Sequence, residues 1–271
     1  MTGDADIAKV GALLAEPARA RILMALSDGR ALPASVVAAE AGIAPSTASG
    51  HLARLREAHL LKEERHGRHR YFRIAGRPVA ELIETIARVA PPAPVRSLRQ
   101  GTRAEAVRST RLCYDHVAGR LGTALMQALL QRELLSGGDG TFDPATAHAD
   151  HLSAPGRDLD YRLTDRGDTV LRDLGIDLDA IAARRRPAIR YCVDWSEQRH
   201  HLAGALGAAL AARMIELRWV RRATSGRALH LTDDGRAGLH TTFGLDPADY
   251  ENTIPSGTGT SGVRATVIAS E

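Results

Sequence analysis

The segment that decides the fold is residues 44–61, which have the sequence APSTASGHLARLREAHLL. Its apolar residues Ala48, Leu52 and Leu55 recur at intervals of three and four, which predicts an α-helix with one buried face. Ser46 or Thr47 stands before them and is predicted to cap the first turn. A shorter helix is predicted just upstream, over residues 33–42, PASVVAAEAG. The pair forms a helix-turn-helix.

The hydrophobic period changes after this segment. Residues 60–65, LLKEER, and residues 70–74, RYFRI, alternate between polar and apolar, and His66-Gly67-Arg68 joins them as a hairpin. A last helix is predicted after Pro78, and PPAP at 91–94 ends it. Two helices are predicted over residues 7–26. The order of elements therefore predicts a winged helix-turn-helix over residues 1–90.

Charge is concentrated in the same region. Residues 46–77 contain eight Lys or Arg and three Glu, although the whole chain carries a formal net charge of only +4. A local positive excess indicates a polyanionic partner.

Three segments of this region resemble the arsenical-resistance repressor (ArsR/SmtB) family of bacterial regulators: LAEPARARILMAL (14–26), APSTASGHLARLREAHLL (44–61) and RHGRHRYFRI (65–74). The resemblance covers about residues 5–90. It implies a homodimer built on the first and last helices of this domain, a palindromic operator, and a repressor that responds to an effector.

The residues expected to contact operator DNA lie on the second helix of the motif and on the hairpin. A recognition helix places its N-terminal turns against base edges in the major groove, and a wing follows the backbone or a minor groove. The predicted set is Ser46, Thr47, Ser49, Gly50, His51 and Arg54 on the helix, with Arg65, His66, Arg68, His69 and Arg70 on the wing.

The second half of the chain contains an internal repeat. Residues 111–134, RLCYDHVAGRLGTALMQALLQREL, resemble residues 190–217, RYCVDWSEQRHHLAGALGAALAARMIEL. Cys192 and Asp194 lie 79 residues after Cys113 and Asp115. After an insertion of six residues, the spacing is 85 for three further pairs: His116 and His201, Gly119 and Gly204, and Gly122 and Gly207. An L-T-D-x-G junction, LTDRG at 163 and LTDDG at 231, follows each copy.

These patterns predict a mainly α fold with short β-hairpins, a winged helix-turn-helix followed by two winged-helix-like repeats. A linker is expected at 91–101, the first repeat at 102–185, the second at 186–250, and a disordered tail at 251–271. A long helix is predicted over about residues 102–135, which would place Cys113 and His116 on one helical face.

The resemblance implies two metal sites: a Cys-x-Cys pair in the helix before the recognition helix, and a set of Asp, His and Glu ligands on the last helix. Both sets of ligands are missing. The helix before the recognition helix has no cysteine, and the last helix of the domain offers only Glu81 and Glu84. An effector site is therefore expected in the added half.

Four hypotheses for the function of the C-terminal half stay open. A soft metal or metalloid, Zn(II), Cu(I) or As(III), is held by Cys113, Cys192 and His116 with His200 or His201, near Asp115. Alternatively, Cys113 and Cys192 form a redox-sensitive disulfide. A third reading is an organic ligand between Tyr114, Tyr191 and Trp195. In the fourth, the half is a scaffold for dimerisation and its cysteines are buried apolar residues.

Other functions are not expected. The chain has no nucleophile elbow, phosphate loop, H-E-x-x-H motif or dinucleotide fingerprint, so an enzyme is not predicted. HADH at 148–151 has ligand spacing but is expected in a solvated loop. No secretory signal and no membrane-length apolar run are found, so a cytoplasmic protein is expected.

Overall fold

The computed structural model describes residues 4–67, 69–95, 97–142, 160–224 and 226–251 of the chain. The elements of the N-terminal domain are α1 (Ile7–Leu14), α2 (Pro17–Leu26), β1 (Leu32–Pro33), α3 (Ala34–Ala41), α4 (Pro45–Glu57), β2 (Leu61–His66), β3 (His69–Ile74) and α5 (Arg77–Val89). The predicted winged helix-turn-helix is confirmed.

The wing is a three-stranded antiparallel sheet in the order β1-β3-β2. The short strand β1 was not predicted, and it pairs with β3 through Leu32↔Phe72. The buried face of α4, formed by Ala48, Leu52 and Leu55, is as predicted.

The predicted cap of α4 is wrong. The helix begins at Pro45, and Ala44 is its N-cap without a side-chain hydrogen bond. Proline is suited to the first helical position because that residue needs no intrahelical amide bond. Ser46 and Thr47 therefore lie within the first turn, and both are exposed.

The C-terminal half contains two successive groups of elements. The first comprises α6 (Leu98–Ser109), β4 (Arg111–Cys113), β5 (His116–Ala118), α7 (Arg120–Gln131), β6 (Leu135–Ser136), β7 (Arg162–Leu163), α8 (Asp165–Asp173) and α9 (Leu178–Ala182). The second comprises β8 (Arg190–Val193), β9 (His200–Ala203), α10 (Gly204–Glu216), β10 (Val220–Arg222), β11 (Leu229–Leu231), α11 (Asp233–Phe243) and α12 (Pro247–Tyr250).

The long helix predicted over residues 102–135 is wrong. Helix α6 ends at Ser109, the β4–β5 hairpin follows, and α7 begins at Arg120. The turn of the hairpin places Tyr114 in the left-handed region, at φ 61°. Helix propensity is a weak preference that tertiary context overrides. Here the hairpin is buried on both faces and carries the guanidinium of Arg111 into the core. Helix α6 also begins inside the segment predicted as a linker.

The two groups share an order of elements: a hairpin, a helix, a strand pair and a further helix whose N-cap is Thr164 or Thr232. The winged-helix-like character of these units stays a prediction. The tail at 252–271 and the HADH segment lie outside the described residues.

Each hairpin packs against the helix of the other group. A Cβ at Gly122 would lie 2.6 Å from the Val117 carbonyl oxygen and 3.5 Å from the Cβ of His201. At Gly207 the corresponding distances are 2.6 Å to the Leu202 oxygen and 3.3 Å to the Cβ of His116. A side chain at either position would push its helix away from both hairpins. The repeated glycine is therefore required by close packing.

A buried ion pair joins the two groups. Nη2 of Arg111 donates to both carboxylate oxygens of Asp194 at 2.9 Å, and neither side chain is exposed. The amide of Gly119 donates to the same carboxylate at 2.7 Å, and the guanidinium lies 4.7 Å from the ring centroid of Trp195. These contacts tie β4, the start of α7 and the turn after β8 to one carboxylate.

None of the helices in the described ranges is long and apolar enough to cross a membrane.

Replacing Asp194 by Asn should lower the free energy of unfolding by about 3–5 kcal/mol, because it leaves Arg111 as a buried charge without a counter-ion. Urea denaturation followed by circular dichroism measures this difference. The matched control is Asp179→Asn, which removes an exposed partner of Arg172 and should leave the midpoint unchanged. Equal midpoints for the two variants would contradict the importance of the buried pair.

Candidate metal centre

Two cysteines and two histidines meet where the hairpins touch. Cys113 is paired with His116 across β4–β5, and Cys192 with His201 across β8–β9. Residues directly opposite each other on antiparallel strands project from the same face. One donor atom from each of the four side chains lies within 4.8 Å of the other three.

The register explains the six-residue insertion in the second copy. Cys113 and His116 flank a two-residue turn, whereas Cys192 and His201 are separated by eight residues. The additional residues lengthen the turn between β8 and β9 and leave the Cys–His pair opposed. The sequence alignment of His116 with His201 therefore matches the pairing of the strands, and His200 is the residue that does not belong to the group.

The two imidazoles are buried and incompletely hydrogen-bonded. His201 is 1% exposed, and within the described residues neither of its ring nitrogens has a hydrogen-bond partner. His116 is 3% exposed and its Nε2 is likewise without a partner there. Buried polar atoms are normally satisfied by protein, water or an ion. The donor set, two sulfurs and two imidazole nitrogens, fits a tetrahedral metal ion.

The surroundings of Cys113 oppose its activation for oxidation. A hydrogen bond to Cys192, together with burial, raises the pKa of Cys113 well above its ordinary value. A redox-sensing cysteine requires the opposite shift, because the thiolate is the reactive form. A bound cation would favour the thiolate, since metal binding displaces the proton from cysteine.

A carboxylate stands behind each histidine. Nδ1 of His116 lies 3.1 Å from Asp115 Oδ1, and Arg186 donates two hydrogen bonds to the same carboxylate. Nδ1 of His201 lies 3.5 Å from Asp194 Oδ2. Burial raises the pKa of both carboxyls, but the adjacent cationic groups outweigh burial and hold each pKa below its usual range. Burial also lowers the pKa of His116, while Cys113 and Asp115 act more strongly in the other direction and raise it.

His200 is placed elsewhere. Its Nδ1 lies 2.8 Å from the Tyr161 hydroxyl, and its ring stacks on Tyr191 with centroids 4.0 Å apart. It is buried, like His201, but it is not part of the cluster.

The three aromatic residues predicted to line an organic-ligand pocket do not share one cavity. Tyr114 and Tyr191 line a cavity of about 110 Å³ between α5 and the two hairpins, together with Cys113 and Cys192. Trp195 packs against Arg111 instead. A volume of this size is below the roughly 300–1,000 Å³ of typical organic-ligand sites.

The residues predicted to contact DNA form an exposed surface apart from the cluster. Ser46, Thr47, Ser49, Gly50 and Arg54 are exposed on α4, and His51 is half-buried with Nδ1 3.5 Å from Glu16 Oε2. On the wing, Arg65, His66, His69 and Arg70 are exposed. Arg68 lies outside the described residues.

Sequence reasoning missed the contacts that support the cluster. It did not identify the Arg111–Asp194 pair, nor Arg227, which donates to Glu84 on α5 and to Ser27 Oγ after α2. The repeated Cys-x-Asp was the available signal for Asp194. No local pattern marks Arg227 as an interdomain residue.

Comparison with known proteins identifies relatives over most of the chain. Residues 14–64 match the model of a helix-turn-helix domain. The HTH-type transcriptional regulator YdfF of Bacillus subtilis (strain 168), itself uncharacterized, is 38% identical over 231 residues, which are 85% of this chain and 94% of YdfF.

Other matches cover about a third to two fifths of the chain. The HTH-type transcriptional regulator CmtR of Mycobacterium tuberculosis (strain ATCC 25618 / H37Rv) is 33% identical over 111 residues, 40% of this chain and 92% of CmtR. The solved structure of CmtR from Mycobacterium tuberculosis is described as a cadmium metal-sensor. It matches with a TM-score of 0.28 at 32% identity, over 34% of this chain and all of CmtR. A homodimeric winged helix-turn-helix domain from Mycobacterium bovis, a possible ArsR-family regulator, has a TM-score of 0.28 at 33% identity, covering 32% of this chain and 86% of the domain.

His201→Gln should abolish tight binding of Zn(II), because it removes one of the four donors. His200→Gln is the matched control, since it changes the neighbouring buried histidine, which is outside the cluster. Isothermal titration calorimetry of each purified protein measures the stoichiometry and affinity. We expect one Zn(II) per chain for the wild type and the control. Equal loss of binding in both variants would contradict the assignment of His201.

Proposed function

Because the chain belongs to a family of HTH-type transcriptional regulators and its N-terminal segments resemble the ArsR/SmtB family, we propose that it is a repressor whose DNA affinity responds to a metal ion bound by Cys113, His116, Cys192 and His201. The observation that carries this proposal is the convergence of the four donor atoms within 4.8 Å in a largely buried site.

The exposed surface of α4 and the wing supports operator binding. The first turn of α4 has no side-chain cap, so its amides are open to a phosphate, which a helix N-terminus favours. Arg54 lies further along the same helix, and Arg65 and Arg70 extend the positive surface onto the wing. These positions suit contacts to the DNA backbone and to base edges in the major groove.

Exposed apolar residues on α1 and α5 support a homodimer. Ile7 is 78% exposed and Val89 is 76% exposed, and Leu82 and Ile86 lie on the exposed side of α5. If these residues form one contiguous apolar patch, that patch suits an interface between two copies of the chain. A two-fold dimer would present two recognition helices to a palindromic operator.

Helix α5 lies between this surface and the metal cluster. Ala80, Glu84 and Arg88 line the same cavity as Cys113 and Cys192, while Leu82, Ile86 and Val89 point away from it. A change at the cluster can therefore reach the dimer surface through one helix. Binding energy at the cluster would then be coupled to the spacing of the recognition helices.

Replacing Arg54 or Arg70 by Ala should weaken DNA binding and reduce the salt slope, log K against log [salt], by about 1 for each lost phosphate contact. Fluorescence anisotropy with a duplex enriched from a random-sequence library measures both quantities. Arg172→Ala, which removes an exposed arginine from α8, is the control and should leave affinity and slope unchanged. Wild-type behaviour of both test variants would refute this DNA surface.

The Cys113→Ser/Cys192→Ser double variant should keep its DNA affinity and lose the response to metal. The same anisotropy assay is run with no metal, Zn(II), Cu(I), As(III) and a thiol oxidant, on reduced wild-type and double-variant protein. We expect the wild type alone to respond, and to a metal. A response to the oxidant alone would identify a disulfide switch instead. Identical behaviour of the two proteins in every condition would refute sensing by the cysteines.

A further inference from the structure

The donor count limits the ions that the cluster can hold. This inference rests on the proposed metal-sensing function. Cys113 and Cys192 are the only cysteines of the chain, so a single protomer offers two thiolates and two imidazoles. As(III) is thiophilic, and only two of the four donors that one chain supplies are sulfurs. Four donors of mixed sulfur and nitrogen character match tetrahedral Zn(II)-type coordination.

Three carboxylates near the cluster are each paired with an arginine. Asp115 is paired with Arg186, Asp194 with Arg111, and Glu84 with Arg227. These carboxylates therefore add no net charge to the centre, whose own charge is that of the two sulfurs and the ion.

We propose that the cluster selects a divalent ion with a tetrahedral preference, of the Zn(II) and Cd(II) class. Two thiolates and two neutral imidazoles carry a charge of −2, which a divalent ion cancels. Cu(I) would leave the centre itself with a net charge of −1 among side chains that are 1–4% exposed, apart from Cys192, which is half-buried. An unpaired buried charge is strongly unfavourable.

Asp115 sets which nitrogen of His116 is available. Because Nδ1 faces the Asp115 carboxylate, Nε2 is the atom directed to the other donors. A carboxylate behind a ligating histidine fixes the ring and increases its basicity, and its loss lowers metal affinity by about 10–100-fold. Asp115 is thus a positioning residue.

Co(II) is the probe for this inference, because tetrahedral and octahedral Co(II) differ strongly in visible absorption. The wild type should give an intense tetrahedral spectrum with thiolate charge-transfer bands, at one Co(II) per chain, and Zn(II) or Cd(II) should displace it. Asp115→Ala should keep the spectral type with about 10–100-fold weaker binding. A weak octahedral spectrum would overturn the inference.

DNA binding separates this inference from the proposed function. The anisotropy assay is repeated with Zn(II), Cd(II), Co(II), Cu(I) and As(III). A response to Cu(I) or As(III) alone overturns the divalent class and leaves a metal sensor. A tetrahedral Co(II) spectrum without any DNA response leaves the divalent site and overturns the sensing function.

A different observation carries a second inference, on how the site communicates with the DNA-binding domain. The turn of the β4–β5 hairpin, Tyr114-Asp115, lies between the candidate ligands Cys113 and His116 and touches the end of α2. The amide of Tyr114 donates to the Ser27 carbonyl oxygen at 2.9 Å. The Tyr114 ring is partly buried against the core of the N-terminal domain.

Gly29 makes this contact possible. It has a φ of 74°, and a Cβ there would lie 2.9 Å from the Tyr114 carbonyl oxygen. We infer that the Tyr114-Asp115 turn transmits metal occupancy to α2, because any shift of Cys113 relative to His116 must move this turn. Helix α2 packs in one core with α3 and α4, so its movement reaches the recognition helix.

Gly29→Ala tests this route, and Gly42→Ala is its matched control. Gly42 also has a positive φ, 65°, but a Cβ there meets nothing within 4 Å. Both variants place an alanine at a positive φ, and only the first brings a Cβ against Tyr114. Gly29→Ala should retain the Co(II) spectrum and reduce the metal-dependent ratio of DNA affinities by about tenfold or more. The control should retain the wild-type ratio.

If Gly29→Ala does not fold, Tyr114→Gly is the alternative test variant. Glycine tolerates the positive φ of the turn, and the substitution removes the contact of the Tyr114 ring with the N-terminal domain. It should show the same loss of coupling with the Co(II) spectrum intact. An unchanged affinity ratio in whichever variant folds would overturn the second inference, and leave the metal site and the sensing function untouched.

Discussion

The ion pair of Arg111 and Asp194 is the constraint on which the C-terminal half depends. A buried carboxylate is tolerated when it is paired with a cation and its remaining lone pairs accept hydrogen bonds. Asp194 meets this condition through Arg111, the Gly119 amide and the Ser196 amide and hydroxyl. Satisfying one carboxylate therefore brings the first hairpin, the start of α7 and the turn after β8 into a single arrangement.

That arrangement sets the geometry of the cluster. Once β5 lies beside β9, the two Cys–His pairs face each other, and the rings of His116 and His201 have centroids 5.1 Å apart. The two aspartates of the repeated Cys-x-Asp then differ in use. Asp115 faces His116 and the half-buried Arg186, whereas Asp194 is fully enclosed by the ion pair and lies at longer distance from His201. The same sequence pattern thus supplies a carboxylate that contacts His116 in the first copy and a carboxylate of a buried ion pair in the second.

The cluster is also close to the DNA-binding domain. Arg227 links the C-terminal half to Ser27 and Glu84, and Arg30 donates to the Gly226 carbonyl oxygen at 2.8 Å. The N-terminal domain lacks the cysteines that the family resemblance implied for its own helices. In this chain the soft donors are located in the added half, next to the inner face of α5. Under the proposed function, the effector site and the recognition helix would lie in separate halves of the chain.

The sequence by itself determined the winged helix-turn-helix, because the helical spacing in residues 44–61 and the alternation of the wing are local patterns with one solution. It also determined which residue types were available to a sensor, two cysteines and their neighbouring histidines in a repeat. Local patterns misassigned Cys113 to a helix. The repeat aligned His201 with His116 but left both His200 and His201 open as ligands. Only the tertiary structure decided these points, because the hairpin around Cys113 is stabilised by burial and by Arg111 reaching Asp194, 83 residues away. Strand register then selected His201 over His200, since opposite faces of a strand alternate residue by residue.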